Sequence, residues 1–134
     1  MNLVQKILAS HRLFDFTAAV LTAVGVPDLD ARLVADSLVR ADLWGHQSHG
    51  VMRLSWYVDR IRAGVMRAET QSERIVDTGA VAVVDGHDGV GQVLAAQAAR
   101  EAIMRSKAHG VATCFAPSVV STCPSVVKLS TVFP

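Results

Sequence analysis

The chain has 134 residues, 51% of them hydrophobic and 5% aromatic, and a formal net charge of +1. A chain of this length supports one core, burying roughly two-thirds of the extended surface. Few aromatics and no long basic run argue against nucleic acid as a partner, and the apolar runs Ala80–Val84 and Val93–Ala99 are far too short to span a membrane.

The start, Met1-Asn2-Leu3-Val4-Gln5-Lys6, lacks the charged and then apolar build of a signal peptide, so the cytoplasm is the expected location. His11 to Val24 reads as a helix with Phe14, Ala18 and Leu21 on one face. Gly25 ends it and Pro27 follows as a stop. Asp28 is the expected N-cap of a second helix, whose stripe of Leu29, Leu33, Val34, Leu38 and Ala41 runs down to Asp42 or Leu43. So short a connection predicts an antiparallel helix hairpin.

The segment Gly45–Gly50 breaks the periodicity. Ser48 is the expected cap of a third helix from about Gly50 to Ala63, closed by Gly64. Val51, Leu54, Val58 and Ile61 share its apolar face, and Arg53, Tyr57 and Arg60 lie along another side. Trp44, Trp56 and Tyr57 read as packing residues flanking this helix. Two β-prone runs, Glu73–Asp77 and Ala80–Asp85, surround Thr78-Gly79 and predict two strands with a tight turn. A long Ala-rich helix from Gln92 to about Ala108 comes next, stopped by His109-Gly110, and Val111-Ala112-Thr113 begins another strand. From Cys114 onward only Lys128 is charged, and three prolines interrupt a Val/Ser/Thr tract with no clear period. The expected fold is therefore mixed α/β, with a β→α→β unit opened at Ala80 and left incomplete. Cys114 and Cys123 lack histidines at ligand spacing and read as free thiols, not as a metal site.

Chemistry concentrates in Gly45-His46-Gln47-Ser48-His49-Gly50-Val51-Met52-Arg53-Leu54. On a helix His49 and Arg53 form an i,i+4 pair. Arginine offers a planar fork of donors that grips a carboxylate with two hydrogen bonds. Histidine gives or takes a proton near neutral pH. The Ser48 hydroxyl either hydrogen-bonds the same substrate or caps the helix. Together they suit a 2-hydroxy or 2-oxo acid. The plainer alternative makes Ser48 only a cap, His49 a linker residue and Arg53 a solvated cation. His46 has no acidic partner that would make a metal-ligand pattern with His49. The turn Gly86, Gly89, Gly91 does not fit the dinucleotide fingerprint of glycine, one residue, glycine, two residues, glycine. Its amides could meet an anion at a helix start, but turn formation is the preferred reading.

The run Ala41 to Leu54, followed by Tyr57-Val58, closely resembles the N-terminal part of the malate/L-lactate dehydrogenase family of the non-classical, non-Rossmann type. That family includes ureidoglycolate, sulfolactate and diketogulonate oxidoreductases and cyclic-imino-acid reductases. Ala23-Val24-Gly25-Val26-Pro27, Val84-Asp85-Gly86, Gly89-Val90-Gly91-Gln92 and Lys107-Ala108-His109-Gly110-Val111 agree, so the similarity covers roughly positions 12 to 112. The resemblance implies hydride transfer between NAD or NADP and a small 2-hydroxy or 2-oxo acid, in a homodimer whose cofactor domain is not of the Rossmann type. It matches His49 to the catalytic acid/base, and Ser48 and Arg53 to substrate-binding positions; no cofactor-binding residue is assigned. It also implies the division: residues 1–72 a helical segment, 73–113 the start of the cofactor-binding α/β domain, 114–134 an atypical tail.

Two departures stand out. Trp44 replaces an arginine frequent in the family. Family members are commonly well over twice this length and continue to a histidine-phenylalanine-glycine motif, where this chain has Ala116-Pro117-Ser118 and the charge-poor tail that an out-of-frame gene would produce. The expectation is an oxidoreductase of this family, inactive as this short chain and not binding the cofactor productively. The alternatives are a non-enzymatic helical partner-binding module and a non-functional remnant.

Overall fold

The computed structural model describes residues 8–116. The reading of the leader at Met1–Lys6, the tail from 117 onward and Cys123 lie outside them. Four helices and three strands follow one another: α1 (Ser10–Ala23), α2 (Asp28–Leu43), α3 (Leu54–Arg62), β1 (Glu73–Asp77), β2 (Val81–Asp85), α4 (Gly91–His109) and β3 (Thr113–Phe115). Mixed α/β is therefore the observed class. Among the described residues no helix is long and apolar enough to cross a membrane.

Helices α1 and α2 pack against each other as expected, and Gly25, at φ +95°, makes the turn that a side chain would disfavour. Two details differ from the sequence reading. Asp28 is the first helical residue and does not cap; the Pro27 carbonyl accepts the Ala31 amide at 2.8 Å instead. Proline's fixed φ suits it to this boundary, and Asp28 and Asp30 place negative charge in the first turn, where the helix dipole favours it. Leu29 stands 81% exposed at the rim, leaving Val34, Leu38 and half-buried Leu33 to face the core.

The main core joins Leu21, Val26, Ala31, Val34, Leu38 and Leu54 to Val90 and Val93. Residue 93 faces this helical core, whereas its neighbour Leu94, with Ala98, packs on Val84 of the sheet. Successive helical positions are about 100° apart, so α4 serves two cores at once. A β-carbon at Gly86 would collide with Leu94, and glycine there lets the leucine seat on the turn.

Strands β1 and β2 pair antiparallel with Glu73 opposite Asp85 and a bulge between Arg74 and Val76. β2 presents Ala82 and Val84 to α4 on alternating positions. The incomplete β→α→β unit is corrected here. β3 runs parallel to β2, with Val81, Ala82 and Val83 opposite Thr113, Cys114 and Phe115, so the unit closes. The strand begins two positions after the expected Val111, because Gly110 at φ +76° ends α4 and the chain must first turn back. Arg105 ties the layers together, reaching both Asp77 carboxylate oxygens at 2.7 Å and Glu101 at 2.8 Å.

Candidate functional site

Between the end of α2 and the start of α3 the backbone makes two 3-10 turns, Gln47–His49 and Val51–Arg53, the second of them where the start of a continuous third helix was expected. Ser48 caps neither turn and α3 has no side-chain cap. The organising side chain is Asp42, nine positions upstream, whose carboxylate accepts the Val51 amide at 2.9 Å. Gly50 is buried against that carboxylate, and a β-carbon there would collide with it.

This path keeps His49 and Arg53 together. Both line a cleft of about 250 Å³ with Ser37, Ala41, Tyr57 and Gln92. Arg53 donates from Nε to the Ser48 carbonyl at 2.7 Å, which leaves its two terminal nitrogens without a hydrogen-bond partner among the described residues. Its guanidinium also lies 5.8 Å from the Trp56 ring centroid, and Arg60 lies 4.7 Å from the same ring. The Ser48 hydroxyl sits 3.0 Å from His49 Nδ1. A hydroxyl both donates and accepts, so this bond suits either ring tautomer. When Nδ1–H donates to Ser48, Nε2 holds a lone pair; when Ser48 donates to Nδ1, Nε2 carries the proton. Proton loss and gain at Nε2 are both accommodated.

Ser48 thus touches His49 and Arg53 without being one of the residues lining the cleft. His46 is exposed beside the cleft and is not among its lining residues either. Trp44, just past the end of α2, is 73% exposed and Trp56 on α3 is 44% exposed, whereas α3 turns Leu54, Tyr57 and Ile61 toward the core. Tyr57 packs against the core and meets Trp56 edge to face at 5.4 Å.

Sequence reasoning missed Tyr57 and Gln92 as cleft residues. The Gln92 amide donates to the Tyr57 hydroxyl at 2.6 Å, fixing that oxygen while its own proton stays available. The spacing of His49, Arg53 and Tyr57 at every fourth position was the available signal for Tyr57. Gln92 lies 35 positions further on, and no local pattern marks it.

The Gly86–Gly91 turn is closed on itself. His87 donates to Asp85, Gly89 to the Gly86 carbonyl and Val90 to Thr70, each at 2.8 Å. Those amides are already used, and Asp85 and Asp88 add negative charge. None of these three amides is free to meet the diphosphate of a dinucleotide. Among the described residues no group of three His, Cys, Asp or Glu is placed to hold a metal ion.

A family profile described as malate/L-lactate dehydrogenase matches residues 8–120. A malate dehydrogenase of Pyrococcus horikoshii is 44% identical over 100 residues, which cover 75% of this chain and 28% of that protein. An L-sulfolactate dehydrogenase of Methanocaldococcus jannaschii is 38% identical over 92 residues, covering 69% of this chain and 27% of the relative. The solved structure of malate dehydrogenase from Pyrococcus horikoshii superimposes with a TM-score of 0.80 at 39% identity, over 87% of this chain and 34% of that one. The chain therefore spans little more than a quarter of the length of these curated relatives.

Proposed function

We propose that this chain, which belongs to the malate/L-lactate dehydrogenase family, carries the acid-binding and proton-transfer half of an oxidoreductase site. The substrate is a small 2-hydroxy or 2-oxo acid, the redox partner NAD or NADP, and the setting a cytoplasmic homodimer. The observation that supports this reading is the shared cleft, in which His49 and Arg53 stand together with the Tyr57 hydroxyl.

Arg53, anchored through Nε, offers its two terminal nitrogens to the substrate carboxylate as a fork. His49 takes the hydroxyl proton when the acid is oxidised and returns it when the oxo acid is reduced. Ser48 holds the ring in either tautomer and, through its carbonyl, holds Arg53. Tyr57 donates to a substrate oxygen while Gln92 steadies it. A bound nicotinamide supplies the hydride chemistry. In this reading the nicotinamide is held by residues beyond those described, and the isolated chain binds the acid without turning it over, because orientation between the reactants is missing.

The test is titration of the 134-residue chain with L-malate, followed by amide and side-chain NMR. Saturable shifts confined to His49, Arg53 and Tyr57 are expected, with no oxidation of NADH or NADPH when oxaloacetate is added. Absence of any shift at these three residues at tens of millimolar malate, far above ordinary substrate affinities, overturns the reading. The exposed surface of Leu43, Trp44, Met52 and Trp56 favours one second reading, a partner-binding module. It predicts that malate is ignored while a protein partner quenches tryptophan fluorescence.

A further inference from the structure

We propose that Asp42 is the positioning residue of the cleft, holding His49 and Arg53 in register from outside the group that meets substrate. The inference rests on the acid-binding reading above for its purpose, and on geometry alone for its structural content. Asp42 belongs to the last turn of α2, a helix anchored in the main core through Val34 and Leu38. From that fixed base its carboxylate accepts the Val51 amide at 2.9 Å.

Val51 opens the second 3-10 turn, which runs directly into α3, so the carboxylate sits where amides lack partners and the helix dipole is positive. The bond falls between His49 and Arg53 in the chain. It therefore fixes where one turn stops and the next begins. Gly50 agrees with this placement of the carboxylate. Its φ of −86° suits any residue, so conformation does not demand glycine there. Space does, because a β-carbon would collide with the Asp42 carboxylate.

Without this clamp the segment from residue 47 to 53 is free to wind as one continuous helix. A continuous helix would keep His49 and Arg53 one turn apart, but its own ladder would take the Ser48 carbonyl and break the Arg53–Ser48 bond of 2.7 Å that points the guanidinium. Asp42 touches no substrate in this scheme. It acts through Val51 and Gly50.

Three readouts on the full 134-residue chain test it: deuterium exchange of the Val51 amide, the ring ¹⁵N shifts of His49, and affinity for L-malate. Asp42→Ala is expected to speed Val51 exchange at least about tenfold and weaken malate binding by about tenfold, the size of one charge-assisted hydrogen bond. It should leave the amides of Leu21 and Leu38 unchanged. Asp42→Asn, which keeps the accepting oxygen, should restore Val51 protection and the His49 shifts. If Asp42→Ala does not fold, Asp42→Leu retains bulk and helix propensity without an acceptor and answers the same question.

Wild-type exchange and ring shifts in the folded Ala or Leu variant overturn the assignment. So does an Asn variant that rescues none of the three. Should the wild-type chain fail to bind malate, the acid-binding reading falls, and Asp42 is judged on Val51 exchange and His49 shifts alone.

Discussion

The Nε of Arg53 lies 2.7 Å from the carbonyl oxygen of Ser48, which commits one edge of the guanidinium to the backbone and turns the other toward the cleft that His49 also lines. A substrate carboxylate then meets a fork already aimed, with little side-chain entropy left to lose. Lysine in that place keeps the charge but has neither a planar fork nor a second edge to anchor.

Arg53→Lys is expected to weaken L-malate binding by about tenfold and Arg53→Ala by more, as loss of a bidentate charge-assisted pair implies. Arg62→Ala, at the exposed end of α3, should bind as wild type. Calorimetric titration of the three variants checks this, and equal affinity for Lys and wild type would show that only charge is sensed.

Thr70 is 5% exposed, and its hydroxyl accepts the Val90 amide at 2.8 Å at the threshold of α4. Thr70→Val preserves shape and removes the acceptor, leaving a buried amide unpaired. A loss of about 1–3 kcal/mol is expected, read as a lower urea midpoint with an unchanged slope.

Asp77 and Glu101 share Arg105, whose hydrogen bonds hold both carboxyls below their ordinary range, most strongly at Asp77. Groups with depressed folded-state pKa values contribute stability that is full above the unfolded carboxylate range and is lost as pH falls toward their folded values. Melting temperature should therefore fall on acidification below about pH 4. Arg105→Gln should flatten that acid limb while lowering the plateau at neutral pH; parallel profiles for the two proteins would show that the network is not felt in stability.

Burial, with a smaller contribution from the nearby Glu101 carboxylate, pushes the Cys114 thiol above its usual range. In a Cys123→Ser background, alkylation by iodoacetamide at pH 8 should be slower than that of an exposed thiol, since the thiolate is the nucleophile. Reaction at the rate of a free thiol at pH 8 would contradict it.

Much of the fold was legible because its signals are local. Gly25 and Pro27 bound α1 and α2 to within a residue, and Thr78-Gly79 placed the turn between β1 and β2. Details set by distant partners were not legible. The 3-10 path depends on Asp42 meeting Val51, and β3, though expected as a strand, has its start and parallel pairing set by β2 beside it. The cleft was half legible: His49 and Arg53 are neighbours along the chain, whereas Gln92 arrives by tertiary packing through Tyr57. Leu29 misled for a related reason. The helical period locates an apolar stripe but not where the neighbouring helix stops covering it.

Three consecutive positions of α4 look in three directions: Gln92 toward Tyr57, Val93 into the helical core, Leu94 onto the sheet. A rotation of this helix by a small angle would displace all three at once. The tyrosine side of the cleft thus rests on α4, and the strands that stand away from it help set its aim. Loosening β2 should therefore be felt in the cleft as well as in the sheet.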